Sequence, residues 1–314
     1  MLRYIIRRIV SAVLVLFVVI TASFFIMRAA PGGPFDGEKK LPEEVEKNIR
    51  AKYHLDQPLW TQYALQMKSI MLHGDFGPSM KYPDKSVNDI LKDGLPVSMI
   101  LGIQAMFFAL LLGLPAGLYS GLKQNRWQDY LVMTGAMAGV SVPSFVLGPL
   151  LVYVFAIQLQ WFSAANWNGF DNGILAHLQS SVLPSLALGM YYAAYVARLS
   201  RGGMLEVVRQ DYVRTARAKG LSEATVVTRH TLKGAVMPVV SYLGPAFAGM
   251  LTGSVVIEKI FNIPGLGTHF VHSAFNRDYP LVLGTIVLYS ALLVLLNLIV
   301  DLLYTVLDPR VTYD

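Results

Sequence analysis

The stretch that decides the fold is IVSAVLVLFVVITASFFIM, residues 9–27, which carries no charged side chain. A helix needs roughly 20 apolar residues to cross a hydrocarbon core of about 30 Å, and lipid offers no partner to an open backbone. The stretch therefore predicts a membrane-spanning helix. Five more segments are apolar and long enough for the same role, at about Val97–Leu118, Leu131–Ile157, Leu183–Val196 with its flanks, Val239–Ile257 and Leu281–Val306.

Composition supports a membrane protein. Hydrophobic residues make up 54% of the 314 residues and charged residues only 15%, which leaves too little polar surface to cover a soluble globule of this size. Cysteine is absent, so a disulfide framework and a thiolate metal site are both excluded. We therefore predict an all-α polytopic membrane protein with six transmembrane helices.

The distribution of basic residues predicts the orientation. Lysine and arginine are frequent before the first span, between the second and third, and between the fourth and fifth, whereas the short connection after the third span has none. The positive-inside rule then places both termini in the cytoplasm. The first span could instead be a secretory signal, but its apolar run exceeds the roughly 7 to 15 residues of a signal core. A retained anchor is favoured.

The chain divides into an amino-terminal helix at 1–28, an external segment at 29–96, a five-helix core at 97–306 and a tail at 307–314. The external segment opens with Pro31-Gly32-Gly33-Pro34, which cannot continue a helix. Two short helices are predicted in it, over Leu41–Tyr53 and Gln57–Leu72. A small external helical insertion packed on the bundle is favoured over a dedicated ligand-binding role.

Small and polar residues inside the spans indicate packing and a pathway. Glycines recur every four positions, at Gly113, Gly117 and Gly121 and again at Gly135 and Gly139, a spacing that lets helices approach closely in lipid. Polar side chains within spans are expected to face protein or water. The candidates for lining a pathway are Gln104, Ser141, Ser144 and Asn297.

The connection at 198–237 is the longest and most basic on the cytoplasmic side. An apolar stripe of Leu205, Val208, Tyr212 and Ala216 predicts a helix. Gly220 would end this helix, and Ser222 would begin a second. Such a loop could lie among anionic lipid headgroups, attracted by about 1 kcal/mol per basic residue, or it could dock on another protein. The residues alone favour the lipid interpretation.

Residues 211–221 read DYVRTARAKGL, and Arg229-His230-Thr231-Leu232 follow. This pattern resembles the coupling loop of ABC-importer permeases of the oligopeptide and dipeptide class, whose signature is Glu-Ala-Ala, three residues, Gly, nine residues and Ile-x-Leu-Pro. Arg214-Thr215-Ala216 occupy the place of Glu-Ala-Ala in that signature. His230-Thr231-Leu232-Lys233 occupy the place of Ile-x-Leu-Pro. The spacing is intact, although only Ala216, Gly220 and Leu232 match literally.

The resemblance extends along the whole chain. Within the family, the chain is most similar to the B subunit of oligopeptide permeases. The similar segments are Arg28-Ala29-Ala30-Pro31-Gly32, Tyr53-His54-Leu55-Asp56, Gly74-Asp75-Phe76-Gly77, Pro264-Gly265-Leu266-Gly267, Asn276-Arg277-Asp278-Tyr279-Pro280 and Leu307-Asp308-Pro309-Arg310. It implies the type I ABC importer permease fold in a bacterial inner membrane, with this chain forming half of a translocation pathway for oligopeptides.

The same resemblance implies roles for residues and partners. The loop that docks on a cytoplasmic ATPase would comprise Asp211, Arg214, Thr215, Ala216, Arg217, Gly220, Leu221, His230 and Leu232. The external loop residues Pro264, Gly265, Arg277 and Asp278 would either contact a binding protein or fold back as a plug. The expected partners are two ATPase subunits, a homologous second permease, a periplasmic peptide-binding protein, an oligopeptide and the bilayer, with no nucleic acid.

The sequence has no Gly-x-x-x-x-Gly-Lys-Ser/Thr phosphate loop, so we expect a non-catalytic subunit that binds no cofactor itself, with ATP and Mg on its partners. An intramembrane hydrolase is disfavoured because all six histidines are assigned outside the spans. Transport of dipeptides, nickel complexes or other small solutes remains an alternative, and a secondary transporter or channel is a weaker one.

Overall fold

The computed structural model describes residues 2–35, 43–164 and 167–307, and within these ranges the chain is helical, with one isolated β-bridge between Pro78 and Ser86. The helices are α1 (Leu2–Ala29), α2 (Glu43–Lys52), α3 (Leu59–His73), α4 (Val87–Leu122), α5 (Trp127–Ser141), α6 (Ser144–Leu151), α7 (Ile174–Val208), α8 (Asp211–Ala218), α9 (Glu223–Thr225), α10 (Leu232–Ala235), α11 (Met237–Ile260), α12 (Leu266–Phe275) and α13 (Tyr279–Leu307). Two π-helical segments, Val152–Gln158 and Val226–Thr231, and one short 3-10 turn, Phe170–Asn172, complete these elements.

Three helical stretches in the described ranges are long and apolar enough to cross a membrane: Ile6–Ala29, Val87–Leu122 and Tyr279–Asp301. Two bent pairs raise the number to five if each counts as one span. The predicted fourth span lies within α7, which is 35 residues long but is not among these candidates. The all-helical prediction is confirmed, and three to five of the six predicted spans are identified.

The predicted third span is broken in two. Trp127–Ser141 and Ser144–Gln158 meet at 102°, because Val142 and Pro143 are both extended, with ψ of 115° and 143°. A residue before proline is pushed out of the helical region by contact with the proline ring. The segment predicted as the third span, Leu131–Ile157, is therefore two helices that meet at a sharp bend, and the proline lies between them.

The chain forms two compact units, one of Met1–Pro96 with Gly265–Val294 and the other of Val97–Pro264 with Leu295–Asp314. In the first unit, α3 packs on α1 and on the start of α13. Ile20, Met67, Leu283 and Val287 form a buried cluster there. The Gln57–Leu72 helix predicted from the sequence is thus present, with bounds shifted by two residues at the start and one at the end.

A buried carboxylate organises the rest of the first unit. Asp278 is fully buried and accepts hydrogen bonds from the Ser79 hydroxyl at 2.5 Å, from the Met80 amide at 3.1 Å and from the Leu281 amide at 3.3 Å. The last of these caps the first turn of α13. Asp278 thereby ties the loop around Ser79 to the start of a membrane span.

In the second unit, α4 and α7 approach each other at the predicted glycines. A Cβ atom at Gly113 would lie 2.3 Å from the Ala193 carbonyl oxygen, and one at Gly117 would lie 2.1 Å from that of Ala197. No side chain fits at these distances, so the packing prediction is confirmed for α4. Gly135 in α5 differs, because a Cβ there would meet nothing within 4 Å in the described part of the chain.

Candidate coupling site

The first arm of the 198–237 connection folds back on α7. Helix α7 ends at Val208, and Gln210 is extended, with φ of −72° and ψ of 147°. The single helix predicted from the Leu205 to Ala216 stripe is therefore wrong. A continuous helix would have carried Val213 and Ala216 away from the core, whereas the turn at Gln210 brings both back onto Val207.

The buried face of α8 differs from the predicted stripe. Val207, Val213, Ala216 and Val226 form one buried cluster. Tyr212 was placed in the stripe, but it is 51% exposed. Helix α8 is thus amphipathic, and its outward face is available to a partner.

Several predicted docking residues lie on the outward side of this arm, and one does not. The exposed ones are Asp211, Arg214, Thr215, Gly220 and Leu221. Ala216 is only 5% exposed, so in this conformation it supports the arm from within. It packs in the cluster with Val207, Val213 and Val226.

The predicted glycine turn is present. Gly220 has φ of +77°, and a Cβ there would meet nothing within 4 Å in the described part of the chain. Glycine is therefore required by backbone conformation and not by lack of space. The Ser222 hydroxyl accepts a hydrogen bond from the Thr225 amide at 3.4 Å, as an N-cap does. The second arm then runs through the π-helical segment Val226–Thr231 into α10.

An ion pair closes the turn. The Arg217 guanidinium donates to both carboxylate oxygens of Glu223, at 3.1 and 2.7 Å, and this bonding raises the pKa of Arg217 further above its already high value. Arg214 and Asp211 form a looser pair at 3.5 Å within α8. The bidentate geometry fixes the angle between the two arms better than a single contact would.

The second arm packs tightly on α7. A Cβ at Gly203 would lie 2.3 Å from the Ala235 carbonyl oxygen, and one at Gly234 would lie 2.9 Å from a methyl of Val207. His230 and Leu232, the predicted residues of this arm, are half-buried. Both arms are therefore held against the same end of α7.

A contact that was not predicted from the sequence holds α7 to the start of α5. The Arg201 guanidinium donates to Asp129 at 2.7 and 2.8 Å, and the Asp129 side chain is 3% exposed. The Ser120 hydroxyl donates to the same carboxylate, as does the Asn125 amide at 3.0 Å. Asp129 is the one acidic residue near the basic connection between α4 and α5. This isolated acidic residue was the feature of the sequence that could have indicated an ion pair.

The four predicted pathway residues do not form one site. Ser141 ends α5 and Ser144 begins α6, so they flank the break. Asn297 lies beside Gly244, where a Cβ would come within 2.9 Å of its side-chain oxygen. A role in the pathway stays a prediction for all four.

Gln104 belongs to a hydrogen-bond network inside the second unit. The Ser185 hydroxyl donates to its side-chain oxygen at 3.1 Å, and its nitrogen lies 2.8 Å from His177 Nε2. His177 Nδ1 lies 2.7 Å from the Asn168 carbonyl. This carbonyl can only accept, so Nδ1 carries the proton and Nε2 accepts from Gln104. Both polar atoms of the Gln104 side chain are thus hydrogen-bonded within the protein.

Two of the predicted external residues are turned inward. Arg277, with φ of +57°, donates to the Gly33 carbonyl at 3.3 Å, and Asp278 is fully buried. Gly265 is buried before α12, whereas Pro264 is exposed. A plug and a contact with a binding protein both stay predictions for these residues.

Comparison with known proteins defines the class. The family described as "Binding-protein-dependent transport system inner membrane component" matches residues 113–313, and the corresponding amino-terminal family matches residues 1–102. The chain belongs to this family of ABC transporter permeases, and it is a non-catalytic integral component of the inner membrane.

The chain is also similar to individual members of this family and to one solved structure. The chain is 52% identical to the oligopeptide transport system permease protein OppB of Escherichia coli over 100% of both chains. It is 46% identical to the dipeptide transport system permease protein DppB of Bacillus subtilis, over 99% of this chain and 98% of that one. A structure of the MetNI methionine ABC transporter matches with a TM-score of 0.55 at 16% identity, covering 70% of this chain and 97% of the other. This last likeness concerns the fold alone.

Proposed function

We propose that this chain is the permease subunit of an oligopeptide importer and forms half of its translocation pathway. The observation that carries the proposal is the arm α8, which is buried on one side against α7 and exposes Tyr212 and Arg214 on the other. Such an arm is suited to receive a partner and pass its movement to the membrane helices. The oligopeptide cargo is supported by the 52% identical relative.

The proposed topology has six spans with both termini in the cytoplasm. Helix α7 supplies the fourth span, the bent pair Trp127–Ser141 and Ser144–Gln158 supplies the third, and α11 supplies the fifth. This arrangement places the ion pair of Asp129 and Arg201 and the arms of the coupling site on the same, cytoplasmic side. The basic residues of the coupling site then follow the positive-inside rule.

The proposed assembly contains two cytoplasmic ATPases, which hold ATP and Mg, a homologous second permease and an external peptide-binding protein. Closure of the ATPases on ATP would move α8. Because both arms pack on the end of α7, this helix would tilt with them and switch the pathway between its two openings. The cargo itself needs no tight site on this chain, since the binding protein supplies much of the selection.

The test is ATP-dependent uptake of a labelled tri- to pentapeptide in vesicles that contain all the subunits. Omission of this chain should abolish uptake. In the same vesicles, Tyr212→Ala and Leu221→Ala should weaken copurification of the ATPases, whereas Glu206→Ala, an exposed change in α7, should not. Uptake that persists without this chain would refute the permease role.

A dipeptide importer is the second candidate, and the 46% identity to a dipeptide permease favours it. Competition separates the two. An excess of unlabelled dipeptide should leave pentapeptide uptake nearly unchanged in an oligopeptide system. Complete inhibition by the dipeptide, with no uptake of the longer peptide, would favour the second candidate.

A further inference from the structure

Helix α3 lies beside the last turns of α1 and not beyond its end. The Tyr63 hydroxyl is 2.8 Å from that of Thr21, and the Tyr63 ring stacks on Phe25 with centroids 5.4 Å apart. The Trp60 ring meets Phe25 edge to face at 5.2 Å. Near the end of α1, Arg28 donates to Gln62 at 3.1 Å. One turn of α3, residues 60–63, thus contacts α1 between Thr21 and Arg28.

These contacts indicate how deep α3 lies in the membrane, because α1 contains a candidate membrane span. The candidate span of α1 ends at Ala29, and Thr21 precedes it by eight residues, or about 12 Å of helix. Even if the last four residues stand in the headgroup region, Thr21 lies about 6 Å inside the hydrocarbon. The Tyr63 hydroxyl, which is 2.8 Å from that of Thr21, lies at that depth as well.

A second span gives the same result independently. Met67 is buried in a cluster with Leu283 and Val287, which follow the start of the span at Tyr279 by four and eight residues. This corresponds to about 6 and about 12 Å of helix. The middle of α3 is therefore level with the interior of two spans.

The rest of the α3 surface is largely apolar and uncovered. On a helix of 3.6 residues per turn, Leu65 and Leu72 lie opposite Tyr63, and they are 42% and 67% exposed. Leu59, Trp60 and Met71 flank the contact with α1 and are 49%, 72% and 61% exposed. Lys68 also lies on this side, and lysine can extend its charge from an apolar surface to the headgroups. At the depth just derived, such a face would adjoin the lipid around α1.

We propose that α3 is an interfacial membrane helix whose outward face lies in lipid at the boundary of headgroups and acyl chains. Its 15 residues are about 22 Å long, too short to cross the bilayer. A tryptophan, aliphatic side chains and a lysine are the composition that this boundary favours. The occupied leaflet is the one where α1 ends, which is the outer leaflet if the proposed topology holds.

The absence of cysteine from the sequence makes a direct test possible. Single-cysteine variants Trp60→Cys, Leu65→Cys and Leu72→Cys are spin-labelled in the complete transporter, reconstituted in phosphatidylcholine and phosphatidylglycerol vesicles. Collision rates with oxygen, which enters lipid, are compared with those of a water-soluble nickel chelate. Leu14→Cys, at an exposed position in α1, is the lipid control, and Lys47→Cys in α2 is the water control.

The labels on α3 should favour oxygen over nickel several-fold more than the label at position 47 and less than the label at position 14. Nickel access equal to that at position 47 would overturn the proposal. A different result would also overturn it: labels that neither reagent reaches in the complete transporter but that oxygen reaches in this chain alone. A second permease would then cover the face in place of lipid. Trp60 also packs on Phe25, so Leu65 and Leu72 keep the test valid if Trp60→Cys does not fold. Neither result depends on cargo or transport.

Discussion

Arg201 binds Asp129 through two hydrogen bonds of 2.7 and 2.8 Å, and this pair joins the long helix α7 to the start of α5. The Asp129 carboxylate is almost fully buried, whereas the Arg201 side chain is 26% exposed. The pair therefore holds α7 at Arg201, seven residues before the helix ends at Val208.

Asp129→Asn is expected to destabilise the chain strongly, because it leaves the Arg201 charge without its partner. Removing one member of a buried pair typically costs about 3 to 5 kcal/mol, and the partial exposure of Arg201 places the effect near the lower figure. The measurement is the thermal midpoint of the detergent-solubilised complex, followed by intrinsic fluorescence. In the cycle with Arg201→Met, the double variant should lose less than the sum of the single losses. Additive losses would mean that the two residues do not interact.

Gly117→Ala is expected to disrupt the contact of α4 with α7. The new methyl group would lie 2.1 Å from both the Ala197 carbonyl oxygen and the Ser200 hydroxyl, so the helices must separate, at a cost of about 1 to 3 kcal/mol. Gly135→Ala is the matched control, since a methyl group there meets nothing within 4 Å in the described ranges. The thermal midpoint should fall for the first variant only. Equal midpoints would contradict the close approach.

Gly220→Val should uncouple transport without preventing membrane insertion. The backbone at Gly220 is left-handed, a conformation that costs a residue with a Cβ about 1 to 2 kcal/mol, and the exposed turn can relax by changing the angle between the two arms. Peptide uptake should fall at least several-fold at unchanged chain abundance.

Gly220→Asn is the control for this change, because asparagine tolerates the left-handed region. It should keep most of the uptake. If the valine and asparagine variants lose uptake equally, the side chain and not the backbone angle is responsible, and the turn is not the rigid element described above.

The stability of the first unit should fall in mild acid because of His269. Burial, and then the positive charges of Lys85 and His272, lower the pKa of His269 below 6.5, against a smaller opposing effect of Asp93. The unfolded chain therefore binds this proton more readily than the folded one. The contribution is fully present above pH 6.5 and is lost as the pH falls through this value toward the folded pKa.

His269→Gln removes this titration, so its thermal midpoint should fall less than that of the unchanged protein between about pH 7.5 and about pH 5.5. His73→Gln, at an exposed position, should leave the original dependence in place. Parallel curves for the protein and its His269→Gln variant would show that another group causes the loss.

Much of the coupling site was predictable because its signals are local. Gly220 needs only its own backbone angle to end an arm, and Ser222 caps the next helix through a residue three positions away. The apolar stripe failed because Leu205 to Ala216 was treated as one straight helix. Burial of Val213 and Ala216 on Val207 required a turn at Gln210, and no pattern of period 3.6 contains that information.

The sequence alone was enough to identify a helical membrane protein, because its long apolar segments need lipid around them. The spacing of the coupling loop indicated the family. Three features became known only from the tertiary structure: the angle of 102° at Pro143, the pairing of Asp129 with Arg201, and the position of α3 beside α1. The reason is physical. Apolarity and turn preference act within one or two helical turns, whereas these three features depend on groups that are distant in the chain or on how neighbouring helices pack.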